Sequence, residues 1–100
     1  MIESKVINGK MYDTRTAKAM FRTEYDGGNG DPWYRETLYR KRTGEYFLYG
    51  ESTDCFSRYC GGEIIPFTLG KAKQWAEENC DGDKYVEIFG EVEEKEKGLL

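Results

Sequence analysis

The residues best suited to chemistry in this chain are its three cysteines, set in a sequence that contains no histidine. Cys55 and Cys60 bracket a four-residue gap, and Cys60 is followed by Gly61-Gly62, which lets the backbone wrap tightly. Cys80 stands beside Asp81, with Asp83 close behind. Zinc takes four ligands from Cys, His and carboxylate, so Cys55, Cys60, Cys80 and Asp81 form a chemically sufficient set. The spacing is not that of a C-x2-C knuckle. The alternative makes Cys80 a core residue on the apolar face of a helix and leaves the other two as thiols. No cofactor other than zinc is suggested.

The missing histidine removes the commonest general base near neutral pH, and with it every Ser-His or Cys-His pairing. Gly27-Gly28-Asn29-Gly30 lacks the Lys-Ser/Thr of a phosphate loop. The paired carboxylates Glu77-Glu78 and Glu93-Glu94 fall on a helix surface and in a charged tail, where solvation accounts for them. The expectation is a protein that binds, not one that catalyses.

Elements must still position whatever binds. Residues 1–100 suit one domain, with an acidic tail from about residue 91. Hydrophobic residues make up 38% and charged ones 34%, so the core must be thin and lean on the 15% of aromatic residues. No apolar run approaches the roughly 20 residues of a membrane span. Met1-Ile2-Glu3-Ser4-Lys5 lacks the apolar segment of a secretory signal. A cytoplasmic protein with reduced cysteines is expected. Residues 1–42 carry nine basic and six acidic side chains, whereas residues 43–100 carry six and thirteen. The net charge of −4 disfavours a nucleic-acid binder. An acidic surface suits a basic protein partner, but its ordinary role, the reading placed first, is to keep a small protein soluble.

Asn8-Gly9 between apolar flanks predicts a tight hairpin. Asp13 or Thr14 is placed to cap a helix through Thr16, Ala17, Ala19, Met20 and Phe21. A glycine-rich loop over 25–32 follows. The strongest signal spans 33–51, two runs of β-formers joined by Lys41-Arg42-Thr43-Gly44. The predicted register sets Lys41 opposite Glu45, Tyr39 opposite Phe47 and Leu38 opposite Leu48, leaving both faces partly apolar. A loop over 50–62, an edge strand at Glu63-Ile64-Ile65-Pro66-Phe67, and a helix capped by Thr68, running to about Asn79 and ended by Asp81-Gly82, come next. The stretch 83–89 fits a strand or a helical face, and an Asp cap favours a short helix. The fold class is thus α+β: a small antiparallel sheet with a central aromatic hairpin, packed by two or three helices.

Several strings also carry a likeness. Asn8-Gly9-Lys10-x-Tyr12-Asp13-Thr14-x-Thr16-Ala17 is followed by Glu36-Thr37-Leu38-Tyr39-Arg40-x-x-x-Gly44-x-x-Phe47-Leu48-Tyr49-Gly50-Glu51. Gly61-Gly62-Glu63-Ile64-Ile65-Pro66-x-Thr68 and Trp75-Ala76-Glu77-Glu78 come next. In this order the chain resembles a family of small proteins carried on phages and other mobile elements of Gram-positive bacteria. Where many such proteins read Gly-Gly-Pro-Met-Ser-Lys-Tyr-Ala, residues 52–60 differ and contribute two cysteines, so a metal site would be particular to this subgroup. Some members of the family look like anti-CRISPR proteins, which bind the RNA-guided nuclease of type II systems.

The resemblance implies an inhibitor that binds such a nuclease and blocks DNA loading or activation. Tyr39, Tyr46, Phe47 and Tyr49 are the expected anchors, and Glu77 and Glu78 the expected charge-complementary contacts. A rival reading is an accessory protein of a mobile element that acts by self-association or on another host protein. A third is weak nucleic-acid binding through Arg35, Arg40, Lys41 and Arg42 beside Trp33 and Tyr34.

Overall fold

The computed structural model describes residues 4–29, 32–54 and 59–90. Asn8 and Gly9 take positive φ angles of 52° and 77°. These are the angles of the primed hairpin turn that matches strand twist. The turn joins β1 (Ser4–Ile7) to β2 (Lys10–Asp13) as a separate two-stranded sheet. Four further strands make the main antiparallel sheet, in the order β3-β4-β5-β6.

The helix expected after Asp13 does not form. Asp13 does behave as a cap: its carboxylate accepts the Arg15 N–H at 2.8 Å, and its carbonyl accepts that of Ala17 at 3.1 Å. One turn later the chain straightens into β3 (Lys18–Asp26), so Ala19, Met20 and Phe21 are strand residues and Tyr25 and Asp26 do not belong to a loop. Pairing with the whole of β4 (Trp33–Arg40) outweighs the local preference, since an isolated helix of this length is marginal.

The central hairpin has the predicted register. In β4 and β5 (Tyr46–Ser52), Tyr39 pairs with Phe47 and Leu38 with Leu48. Lys41 donates its N–H to the Glu45 carbonyl at 2.7 Å, and Gly44 takes a φ of 93°. β5 extends through Ser52, so the loop expected from residue 50 begins later. β6 (Glu63–Phe67) forms an edge, with Pro66 where no ladder donor is needed. Thr68 caps α1 (Leu69–Asn79) by accepting the Lys71 N–H at 3.1 Å. Asp81 caps α2 (Gly82–Phe89), so Gly82 opens the second helix. The protein is α+β, with two antiparallel sheets and two helices among the described residues. The charged tail lies outside the described residues.

Both faces of the hairpin are covered. On one, Leu38, Tyr46 and Leu48 pack with Ala72, Trp75, Ala76 and Ile88 of the helices. On the other, Phe47, Tyr49 and Ile64 pack beneath Tyr12 of the small hairpin, whose ring meets Phe47 edge-on at 5.5 Å. Phe47 and Leu38 are fully buried. Each contributes about 1.5–3 kcal/mol of apolar burial.

Candidate functional site

The enclosure of the hairpin moves the candidate site. Tyr46, Phe47 and Tyr49 are 7%, 0% and 5% exposed, and Tyr39 is half-buried with its ring stacked on Phe47 at 5.1 Å. Tyr46, Phe47 and Tyr49 thus build the core and are not surface anchors, while Tyr39 packs against it partly exposed. The sequence could not show that β1 and β2 fold back over the second face.

Surface recesses lie on the helical side, around Glu36, and larger ones of about 460 and 480 Å³ lie at the opposite end beside Lys41 and Arg42. Glu36 is in β4, on the face that packs toward α1. Its carboxylate accepts the Trp75 indole N–H at 2.9 Å and the Tyr59 hydroxyl at 2.7 Å. Two adjoining recesses of about 280 and 350 Å³ share Glu36 and Tyr59. The first runs along α1 past Trp75, Gln74 and Glu78. The second opens between Tyr25, Tyr34 and Asn79 at the far end of the sheet. Tyr25 is 63% exposed and lies 6.3 Å from the Tyr34 ring. Desolvation raises the Tyr34 phenol above its ordinary pKa, as does its hydrogen bond to Asp54 at 3.2 Å. The hydroxyl therefore remains a donor at neutral pH.

Acidic groups ring this end of the molecule. Glu77 and Glu78 are exposed in the last turn of α1, which holds no basic residue. Asp81 and Asp83 follow, also exposed. Basic groups gather at the opposite end of the sheet. There Lys18 stands directly across from Arg40, with Lys41 and Arg42 in the adjoining turn. Lys18, Arg40 and Arg42 form no salt bridge among the described residues.

This arrangement separates the groups of a stacking nucleic-acid platform. Trp33 and Tyr34 begin β4 while Arg40 ends it, roughly 20 Å away at the rise of a strand. Arg35 is held by Glu24 at 3.2 Å and Glu51 at 3.4 Å, with its guanidinium over Trp33.

Of the expected zinc ligands, Cys55 lies outside the described residues. No three Cys, Asp or Glu side chains converge as metal ligands among the described residues. Cys60 is exposed and bridges to Ser52, whereas Cys80 caps α1 and packs against the helical core. Burial raises the Cys80 thiol pKa, Lys84 opposing and Asp81 adding to the shift. The Asp81 carboxylate is engaged as a helix cap, accepting the Lys84 N–H at 2.8 Å.

Glu36, Tyr59, Trp75 and Tyr25 are not among the candidate site residues of the sequence, and Tyr34 enters there only as a stacking residue for nucleic acid. One sequence signal did point here: a lone carboxylate, Glu36, among the inward-facing residues of a β-former-rich strand. No family model, no curated protein and no solved structure matches the chain. No helix among the described residues is long and apolar enough to cross a membrane.

Proposed function

We propose that this protein is a non-enzymatic inhibitor of the anti-CRISPR type, which binds a type II RNA-guided nuclease and blocks target DNA loading or activation. The reading starts from the motif resemblance. It is supported most by the acidic C-terminal end of α1 and the aromatic recess beside Glu36. Glu77 and Glu78 occupy the negative end of a helix dipole, where carboxylates are unfavourable. Their position does not serve the stability of α1. It suits a basic partner, and a nuclease that holds guide RNA and DNA carries such a surface. Tyr59, Tyr34 and Tyr25, above the buried Trp75, supply the flat amphipathic area that interface anchors use.

The test is target cleavage by purified type II nucleases, with the protein added before or after the DNA. Inhibition that is strong on pre-incubation and weak after DNA loading is expected. Full cleavage in every order of addition, across several such nucleases, would remove the proposal.

A further inference from the structure

β3 is an edge strand nine residues long, paired on one side with β4. No described element pairs with its other side. Open edges of this length are templates for another strand, and proteins usually blunt them. The opposite edge, β6, is short and carries Pro66. β3 has no proline, and its only register shift falls between Ala19 and Phe21, near one end.

Its charges separate by sign along the strand: Lys18 and Arg22 in the first part, Glu24 and Asp26 in the second. An antiparallel copy reverses that order, so the strand complements itself. The match can be made specific. Outward N–H and C=O groups recur on alternate residues, so two identical antiparallel strands must place their two-fold axis on a residue. An axis on Arg22 or Glu24 opposes like charges, which is unfavourable. An axis on Tyr25 sets Glu24 against Asp26, and axes before Arg22 run into the irregularity at Met20. An axis on Thr23 avoids all of these. It sets Arg22 against the partner's Glu24 and Phe21 against the partner's Tyr25, each twice.

We propose that the protein self-associates through this edge, its β3 strands pairing antiparallel about a two-fold axis at Thr23. The second copy is the occupant because charge and aromatic matching both hold in that one register. It also covers Tyr25, the most exposed of the large hydrophobic side chains among the described residues. The pairing joins two four-stranded sheets into one, with both helical layers on the same side. The pairing does not rest on the nuclease reading, and it takes Tyr25 out of the surface proposed there.

Sedimentation equilibrium of the full chain tests it. A dimer is expected at about 100 μM, weakened on the order of tenfold by Arg22→Glu or Glu24→Arg alone and restored by the two together. Amide exchange on the unaltered chain needs no variant: outward amides of β3 should slow as concentration rises, while those of β6 do not. A monomer at that concentration, or a dimer whose strength ignores both reversals, would overturn the proposal. So would β3 exchange that is independent of concentration, or failure of the double reversal to restore association.

Discussion

Gly50 stands opposite Glu36 in the β4–β5 ladder, and a Cβ there would come within 2.5 Å of the Tyr59 ring. Glycine at this position lets Tyr59 lie flat across β5 and reach the Glu36 carboxylate. Gly50→Ala is therefore expected to cost about 1–3 kcal/mol by overpacking. In a domain of this size each kcal/mol lowers the melting temperature by roughly 4–8 °C. In a Tyr59→Ala background the same change should cost almost nothing, and thermal melts of the four proteins measure the coupling. Additive losses would show that Tyr59 does not pack there. Glu45 makes a second residue-scale prediction. Its carboxylate accepts from Lys10 at 2.7 Å, Thr43 at 3.0 Å and Lys41 at 3.1 Å. These hydrogen bonds, that of Lys10 foremost, lower its pKa from 4.5 to about 2. A carboxylate with a depressed folded-state pKa stabilises the fold above its unfolded pKa, and that contribution is lost as pH falls through the folded value. Denaturant midpoints should therefore fall between pH 4.5 and about 2, and Glu45→Gln should flatten the slope across that window. An unchanged slope would mean that other groups carry the acid sensitivity.

At the scale of elements, the Thr68 cap of α1 was legible in the sequence, whereas Asp81, expected as a helix stop and a zinc ligand, caps α2 instead. Thr68 and Asp81 each supply the oxygen that a first-turn N–H requires. For Asp81 this separates two chemistries. A cap tolerates Asn, so Asp81→Asn should leave the melting temperature within error while Asp81→Ala costs about 1 kcal/mol. A metal ligand would instead lose affinity in both variants, so binding of added zinc that both abolish would restore the ligand reading. The central hairpin was legible for a related reason: turn chemistry at Gly44 and alternation in both runs specify the same register. β3 was not. Asp13 began a turn as a cap should, but Ala17, Met20 and Phe21 also fit a helical face, and nothing local distinguishes one turn from three. What decides is pairing with β4, a long-range contact that local periodicity does not contain. The alternation of Phe21, Thr23 and Tyr25 on the helical side of the sheet was the available signal. The candidate site was less legible still. Trp75, Glu36 and Tyr59 are separated in the chain and meet only once α1 lies across the sheet.

At the scale of the whole molecule, topology turns a modest net charge into a strong separation of charge. Phe67 pairs with Tyr46 beside Arg40, so α1 starts near the basic end and runs toward Tyr25 and Tyr34. Its last turn thus delivers Glu77 and Glu78 to the acidic end, against the direction its dipole favours. Each carboxylate there costs roughly 0.3–1 kcal/mol at low salt, so replacing both with lysine should leave stability unchanged or slightly raised. The same double variant, Glu77→Lys with Glu78→Lys, should associate with the nuclease about tenfold more slowly, because steering depends on the field at encounter. Surface plasmon resonance on immobilised nuclease measures both arms. The parent's association rate should fall as ionic strength rises, while that of the variant should change little. A stable variant that associates at the parental rate would place the contact elsewhere on the molecule. A variant that slows only because it unfolds would be exposed by its melting curve, and single reversals at Glu77 and Glu78 would then carry the comparison.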